Sequence, residues 1–538
     1  MKKIVGHITG GSLSDGLVMR IRSSEILNEL KAGKFVAIET AQGTFFSLLT
    51  DLKLEVSNHD ILLFPPQSHE HLLKRFLQDK DIYATALLRP LIMLGAERRP
   101  LPVKSIPSHF APVVEVSKAD IAAIFGDETE ESKRYFNIGS PLDMDDVAVC
   151  INLERLTERS TGIFGKTGTG KTFLTRLVLA GLIHNDKAVT LIFDMHSEYG
   201  LQARKESNTH AFVKGLKTLF GNKVAIFSLD PVSTRRRGGQ PDVTITLSYQ
   251  SIAVEDIIAL QEELNLHPTA CEAAHLIAVR YKKDWLGVLL QQGERLKDFA
   301  QELGAHPESI AALYRKLRAI ERLPFFVPDS SENNKNREDV FDAMMEYIDR
   351  GVSIVIEFGN YTSLFCYLLL ANIITRRIHT LYVQKTEKFL GTHLKQDEPK
   401  KLIIAIEEAH KFLNVQAARQ TIFGSIAREM RKYYVSLLVV DQRPSGIDPE
   451  IVSQLGTKII AQLSDDRDIQ AVLTGVNNAT QLRSVLASLE TKKQVLVLGH
   501  AVTMPVVIET RSYDEQFYQA LAPKNRRPSQ EVIDELYL

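Results

Sequence analysis

Runs of consecutive apolar residues recur through the middle and the C-terminal part of the chain. The clearest runs cover residues 187–194, 224–229, 352–358, 402–406, 435–440 and 495–498. They are nearly continuous rather than alternating, which is typical of strands that helices bury on both faces. Segments with helical periodicity separate them, so this part of the chain is predicted to be α/β, with a mostly parallel sheet.

The first part of the chain follows a different pattern. Residues 1–115 contain many short β runs that Gly, Ser and Asn separate. Residues 35–40 and 44–49 flank a turn that contains Gly43, which is a hairpin signal. Many short strands with turn residues between them predict a small β-barrel.

A third pattern interrupts the α/β region. Apolar residues recur at helical spacing at Ile257, Leu260 and Leu264, which predicts a helical insertion, and the polar stretch 329–336 is predicted to be a loop that closes it. The predicted domains are a β domain at 1–115, the two parts of the α/β core at 116–250 and 346–515, the helical insertion at 251–345, and a C-terminal arm at 516–538.

Composition bears on DNA binding, on the cellular compartment and on membrane association. Lys and Arg number 65 and Asp and Glu 66, for a net charge of −1, so any binding of DNA requires a local basic lining. The three cysteines lie far apart without metal-binding spacing, which is typical of a reducing cytoplasm. No stretch approaches the roughly 20 apolar residues that span a bilayer, so we expect a cytoplasmic protein without a membrane partner.

One segment has a specific chemical pattern. Residues 165–172 read G-x-x-x-x-G-K-T between an apolar strand and a helix, which is the context that a phosphate-binding P-loop requires. Lys171 is predicted to meet the β- and γ-phosphates of ATP, and the Thr172 hydroxyl to hold Mg²⁺. The residues predicted to bind the nucleotide are Gly165, Lys166, Thr167, Gly168, Thr169, Gly170, Lys171, Thr172 and Phe173. A P-loop before strands of this kind predicts a RecA-like core.

Acidic residues follow two of the predicted strands. Glu407 and Glu408 come directly after the strand at 402–406, at the edge where open α/β sheets bind ligands. In a P-loop ATPase the first acid, here Glu407, holds Mg²⁺ and the second, Glu408, polarises the attacking water. Asp194 ends the strand that follows the P-loop, and we expect this strand to lie beside the P-loop strand and so near the γ-phosphate.

A basic segment and an amide complete the set of candidates. If residues 422–434 form one helix, Arg428 and Arg431 lie opposite its apolar face. That basic face either meets solvent or reaches the nucleotide of a neighbouring subunit, where an arginine would stabilise charge in the transition state. Gln442 ends the strand that follows and is placed to sense the γ-phosphate or to orient water.

The order of these motifs resembles the HerA/FtsK branch of P-loop motor ATPases, and HerA most closely. The resemblance rests on the P-loop, Asp194-Met-His-Ser-Glu-Tyr, Glu407-Glu-Ala-His, Arg428-Glu-Met-Arg-Lys and Gln442-Arg-Pro. The N-terminal β domain fits the HAS-barrel of that family. The resemblance implies a homohexameric ring that hydrolyses ATP and translocates on double-stranded DNA. The implied roles are catalytic acids for Asp194 and Glu408, a sensor for Gln442, and a trans-acting finger for Arg431, with Arg428 as its rival.

The sequence departs from the family at one residue of the acid pair. Glu407 stands where the family has Asp, and the extra methylene group is expected to alter Mg²⁺ geometry and slow turnover. The resemblance also implies an effector, a nuclease or a sirtuin-like NADase, in DNA end processing or anti-phage defence. The alternative is a nucleotide-gated ring that mainly assembles such an effector through the barrel. The arginines at 235–237 are either a DNA or partner contact or part of a solvated loop.

Overall fold

The computed structural model describes residues 2–63, 77, 81–95, 97, 99–205, 208–328, 339–476, 479–490 and 493–522. Two large sheets contain most of the strands in these residues. The predicted loop at 329–336 lies outside the described residues, as does all of the predicted C-terminal arm beyond residue 522. The described start of that arm belongs to the helix Glu515–Leu521.

The N-terminal sheet closes into a barrel of six strands. Its order is β2-β1-β7-β3-β4-β5, and β2 also pairs with β5, while β6 extends from β5 outside the closed ring. The hairpin of β3 and β4 turns at Gly43, as predicted, so the predicted β-barrel is confirmed. The strands are β1 (Ile4–Ser12), β2 (Gly16–Ile21), β3 (Phe35–Thr40), β4 (Gly43–Val56), β5 (Ile82–Leu94), β6 (Pro100–Pro102) and β7 (Pro112–Glu115).

Strand β3 is buried on both faces, which joins the barrel to the rest of the protein. Val36 and Ile38 point into the barrel core, whereas Phe35 and Ala37 belong to the larger core of the α/β part. Successive side chains of a strand point to opposite faces, so one strand serves both cores. The barrel is therefore packed against the α/β part through apolar contacts.

The second sheet has twelve strands in the order β15-β14-β18-β11-β19-β20-β10-β21-β22-β23-β8-β9. The first eight in this order are parallel, and the last four are antiparallel. The strands from β8 onward, including two small two-stranded sheets, are β8 (Tyr135–Pro141), β9 (Val149–Asn152), β10 (Thr161–Phe164), β11 (Val189–Asp194), β12 (Gln202–Lys205), β13 (Asn208–Lys214), β14 (Val224–Ser228), β15 (Val243–Thr244), β16 (Leu247–Ser248), β17 (Phe326–Val327), β18 (Ser353–Glu357), β19 (Leu402–Ile406), β20 (Val435–Asp441), β21 (Thr457–Ile460), β22 (Gln494–Gly499) and β23 (Val506–Thr510).

Helices cover the sheet and connect its parallel strands. The described residues of β11, β14, β18, β19 and β20 are all buried, which explains their continuous apolar sequences. The predicted α/β fold with a RecA-like parallel core is confirmed. The helices of this part and of the barrel are Ser24–Glu29, Asp60–Leu63, Lys118–Phe125, Leu153–Glu158, Lys171–His184, Leu216–Phe220, Pro231–Arg236, Val340–Asp349, Leu364–Thr392, His410–Leu413, Ala417–Gln420, Ile422–Glu429, Pro449–Gln454, Asp466–Val472, Ala479–Ala487 and Glu515–Leu521.

Between β16 and β17 the chain is helical. Asp256 in this segment is fully buried, and Arg376 of the long helix Leu364–Thr392 forms an ion pair with it at 2.7 Å. The helices of the segment are Val254–Ile258, Gln261–Leu264, Pro268–Tyr281, Trp285–Gln291, Leu296–Leu303 and Pro307–Leu317. Among the described residues, we find no helix whose length and apolar character would suit it to a bilayer crossing.

Candidate nucleotide site

The loop between β10 and the helix Lys171–His184 adopts a backbone that depends on its glycines. Gly168 and Gly170 have φ angles of 78° and 88°, which residues with a side chain rarely adopt. A Cβ atom at Gly165 would lie 2.7 Å from Oγ1 of Thr169, so a larger residue there would disturb the loop. The loop leads into the first turn of a helix, whose free N–H groups and dipole favour a phosphate.

Two side chains of the P-loop turn back onto its own backbone. The carbonyl oxygen of Lys166 accepts hydrogen bonds from Oγ1 of Thr169 at 2.7 Å and from Nζ of Lys171 at 2.9 Å. The ammonium group of Lys171 is therefore held against the loop, next to the place where the phosphates of a nucleotide would lie.

The order of the sheet corrects one expectation from the sequence. Strand β10, which precedes the P-loop, lies between β20 and β21, and β20 and β19 separate it from β11. The expectation that the strand of Asp194 lies beside the P-loop strand is therefore wrong. The neighbour is β20, which leads into Gln442, because the crossover connections place later strands in the middle of the sheet.

A continuous chain of hydrogen bonds joins the P-loop to the acid pair. Oγ1 of Thr167 donates to Oε1 of Gln442 at 2.6 Å, and Nε2 of Gln442 donates to Oε1 of Glu408 at 3.1 Å. The side chain of Glu408 is 42% exposed, so an incoming water or ligand can reach its carboxylate. Glu408 also has a φ of 48°, a conformation that is strained for a residue with a side chain and that recurs at functional sites.

Sequence reasoning missed a second pair of groups beside Glu408. Asp441, the buried last residue of β20, accepts hydrogen bonds from the backbone N–H of His410 at 2.6 Å and from its Nδ1 at 3.0 Å. This contact raises the pKa of His410. Nδ1 also lies 3.6 Å from Oε2 of Glu408. The available signal was an acid directly before Gln442 at the end of an otherwise apolar strand.

Glu407 is held more tightly than Glu408. Oη of Tyr199 donates to Oε1 of Glu407 at 2.5 Å. Oη of Tyr367 accepts a hydrogen bond from the backbone N–H of Glu407 and donates to its carbonyl oxygen, both at 3.2 Å. Loss of hydration at this recessed position is the main cause that raises the pKa of Glu407 to about 7.

Asp194 has surroundings of a different kind. It is fully buried, and its carboxylate accepts hydrogen bonds from the backbone N–H groups of Glu198, Tyr199 and Gly200 at 2.7, 2.9 and 3.1 Å. Burial is the main cause that raises the pKa of Asp194 to about 6. The geometry gives Asp194 a role in shaping the segment that follows it, and its catalytic role stays a prediction.

The two candidate trans-acting arginines are in different situations. The predicted single helix over 422–434 is wrong, because the helix ends at Glu429 and a 3₁₀ turn covers Met430–Tyr433. The side chain of Arg431 lies outside the described part of the structure. Arg428 donates to the carbonyl oxygen of Ala418 at 3.0 Å and pairs with Asp448 at 3.2 Å. Within one chain Arg428 is therefore already engaged.

A cleft of about 800 Å³ adjoins the P-loop. Its lining includes Gly170 and Phe173, and also Arg511 and Tyr513, which follow β23. Its size is in the range of ligand pockets, and it offers space for the parts of a nucleotide beyond the phosphates.

The oxygen donors near the P-loop are of the type that Mg²⁺ prefers. The Thr172 hydroxyl and the Glu407 carboxylate are hard oxygen ligands, and no group of three or more His, Cys, Asp or Glu side chains suited to a metal occurs among the described residues. Such a donor set fits an ion that takes its remaining ligands from nucleotide phosphates and water.

The arginine run at 235–237 is not a loop. It belongs to and follows the helix Pro231–Arg236, where Arg235 and Arg236 are exposed. Arg237 pairs at 2.6 Å with the fully buried Glu357, so one of the three arginines has a structural partner.

Comparison with known proteins shows what the chain is similar to. Residues 136–378 match the family described as the central domain of the helicase HerA. A probable helicase of Methanocaldococcus jannaschii is 23% identical over 524 residues, which is 91% of this chain and 92% of that protein. The DNA double-strand break repair helicase HerA of Pyrococcus furiosus is 22% identical over 402 residues, 70% of each chain.

Solved structures give a weaker likeness. VirB4 of Thermoanaerobacter pseudethanolicus superposes with a TM-score of 0.46 and 13% identity over 71% of this chain and 98% of that chain, which is too weak to bear on fold or function. The matched central domain, the relatives along most of the chain, the closed N-terminal barrel and the P-loop geometry agree. Together they support a HerA-like P-loop ATPase.

Proposed function

We propose that this protein is an ATP-driven translocase or helicase of the HerA type that acts on double-stranded DNA as a homohexameric ring. The observation that carries the proposal is the hydrogen-bonded chain from Thr167 through Gln442 to Glu408. It links the phosphate-binding loop, the sensor and the acid, so a change at the nucleotide reaches all three.

Each group has a definite part in the proposed hydrolysis. Lys171 binds the β- and γ-phosphates, and Thr172 and Glu407 hold Mg²⁺, which supplies positive charge at the phosphates when bound. Glu408 accepts a hydrogen bond from the attacking water and orients it in line with the γ-phosphate. Gln442, which already touches both the P-loop and Glu408, senses whether that phosphate is present.

The ring supplies what a single chain lacks. A cationic side chain from the neighbouring subunit would stabilise the charge on the γ-phosphate. Arg431 is our first candidate, since Arg428 would have to leave Asp448 to act in trans. DNA contacts in the pore must come from local basic groups, because the whole chain has a net charge of −1.

We also infer an effector partner, a nuclease or a sirtuin-like NADase, that binds on the side of the N-terminal barrel. The setting is DNA end processing or anti-phage defence, and the protein is expected in the cytoplasm.

One observation favours a second candidate function. Glu407 stands where the family that the chain resembles has Asp, and its extra methylene group is expected to alter Mg²⁺ geometry, which suits a slow ATPase whose ring mainly assembles and regulates the effector.

The test measures ATP hydrolysis with and without duplex DNA, together with the mass of the particle in solution. We expect a six-chain particle whose hydrolysis rises with DNA, with a salt-dependent DNA affinity, and no hydrolysis in Lys171→Ala. A particle that remains monomeric with ATP, DNA and the partner contradicts the proposal. Hydrolysis that DNA does not affect, in a ring that still binds its partner, favours the scaffold.

A further inference from the structure

We propose that Tyr199 is a positioning residue for Glu407, and that this is the purpose of the segment from Asp194 to Gly200. The inference rests on the proposed hydrolysis of ATP, and it assigns the segment a task other than supplying a catalytic acid. Three features of the structure support this role: the backbone of the segment is fixed, the segment is linked to the P-loop helix, and the hydroxyl of Tyr199 contacts the carboxylate of Glu407.

The backbone of the segment is fixed by Asp194. Its buried carboxylate receives three successive backbone N–H groups, those of residues 198 to 200. Ser197, just before them, has a φ of 57°, so the chain turns sharply there. A carboxylate that accepts several backbone hydrogen bonds holds a loop in a single conformation. Tyr199 therefore leaves this turn in a defined direction.

Arg176 links the segment to the helix of the P-loop. It lies in the second turn of the helix Lys171–His184 and is 2% exposed. Its Nε and Nη2 both donate to the carbonyl oxygen of Glu198, at 2.9 and 2.5 Å, and its guanidinium lies 5.8 Å from the ring centroid of Tyr199. A shift of the P-loop helix on nucleotide binding would thus be passed to Tyr199.

The hydroxyl of Tyr199 contacts the carboxylate of Glu407. The ring is 1% exposed, and Oη lies 2.5 Å from Oε1. Tyr367 fixes the backbone of Glu407, so the remaining freedom lies in its side-chain torsions. Glutamate has one more rotatable bond than aspartate, and holding one carboxylate oxygen reduces the number of orientations that the other oxygen samples.

The experiment is a double-mutant cycle of Tyr199→Phe and Glu407→Asp. Removing the hydroxyl leaves the ring in place, and the shorter aspartate withdraws its carboxylate from the hydroxyl. Two quantities are measured in each variant: kcat and KM for ATP, and the affinity for Mn²⁺ in the presence of ADP by electron paramagnetic resonance. The second readout does not depend on turnover.

We expect Tyr199→Phe to lower kcat and Mn²⁺ affinity about tenfold with little change in KM, which is the usual effect of losing a hydrogen bond to a metal ligand. In the Glu407→Asp background the same change should alter both by less than about twofold, because the bond is already absent. Equal factors in the two backgrounds would overturn the proposal.

Tyr382→Phe is the matched control. Tyr382 is also 1% exposed, and its hydroxyl donates to the backbone carbonyl of Lys400 at 3.0 Å, without a contact to Glu407 among the described residues. It should leave Mn²⁺ affinity unchanged, and a similar loss there would assign the effect to general stability. If Tyr199→Phe fails to fold, Arg176→Met should give the same loss of Mn²⁺ affinity. A wild-type protein without ATPase activity would instead refute the proposed function itself.

Discussion

Asp194 at the end of β11 and Glu408 just after β19 are acids at the same edge of one sheet, yet their surroundings are opposite. Asp194 is fully buried, and three backbone N–H groups occupy its carboxylate. Glu408 is 42% exposed, its backbone is strained, and the group that holds it, Gln442, also touches the P-loop. The first arrangement stabilises a loop, whereas the second leaves a carboxylate oxygen available for chemistry.

The comparison shows that an acid at a strand end is not enough to predict catalysis. The distance of the strand from β10 also matters, since only β20 separates β19 from β10, whereas both β20 and β19 separate β11 from it.

A large loss of activity is expected from a change at Gln442, which connects the P-loop with Glu408. Gln442→Ala removes both hydrogen bonds and should lower kcat about 100-fold, the scale seen when one oriented donor is lost from a catalytic site. Steady-state hydrolysis at saturating ATP measures this. Gln261→Ala, which removes an amide that bonds to the carbonyl of Leu266 in the helical insertion, should leave kcat unchanged.

Asp194→Ala should act on stability. It leaves three backbone N–H groups without their acceptor, so we expect the free energy of unfolding to fall by about 2 kcal/mol. Thermal unfolding followed by circular dichroism, at equal protein concentration, gives the comparison with wild type. An unchanged melting temperature combined with a complete loss of hydrolysis would show that Asp194 is catalytic, contrary to the role that the geometry supports.

Glu408→Gly should have the opposite effect on stability. Glycine adopts the φ of 48° at this position without strain, so the free energy of unfolding should stay the same or rise by up to about 1 kcal/mol. The melting temperature should then be unchanged or higher. Hydrolysis should be lost in the same sample. A clear decrease in stability would mean that Glu408 is held for structural reasons, as Asp194 is.

The smallest effect concerns His410 and pH. The hydrogen bond to Asp441 keeps the pKa of His410 above its usual range, so its protonated form stabilises the fold. This contribution is fully present below about pH 6.5, where the unfolded chain is protonated as well, and is lost as pH rises through the higher pKa of the folded protein. In His410→Asn this decline, about 1 kcal/mol or less, should be absent. Melting temperatures across this pH range measure it, and a decline of the same size in the variant would contradict the assignment.

Local signals in the sequence were sufficient to predict much of the fold and part of the nucleotide site. The P-loop, the hairpin at Gly43 and the buried strands depend on residues close together in the chain, and each was predicted. The neighbours of β10 were not, because sheet order depends on crossovers that sequence periodicity does not encode. For the same reason the bond between Tyr199 and Glu407, 208 positions apart, left no sequence signal.

The helix at Ile422–Glu429 shows a different limit. Its apolar spacing predicted a longer helix, and the residues after Glu429 have no proline or glycine that would mark an end. The chain enters a 3₁₀ turn because Val435 must begin the buried strand β20, with Tyr434 at a φ of 63° in between. Tertiary packing overrides helix propensity here.

ATP binding and ATP hydrolysis, measured in the same samples of wild type and Glu408→Gln, test the role of Glu408 in the reaction. We expect the variant to bind ATP with unchanged affinity and to lose hydrolysis by at least about 100-fold, because only the activation of water is removed. A variant that hydrolyses ATP at the wild-type rate would place the reaction elsewhere and contradict the role given to the chain of Thr167, Gln442 and Glu408.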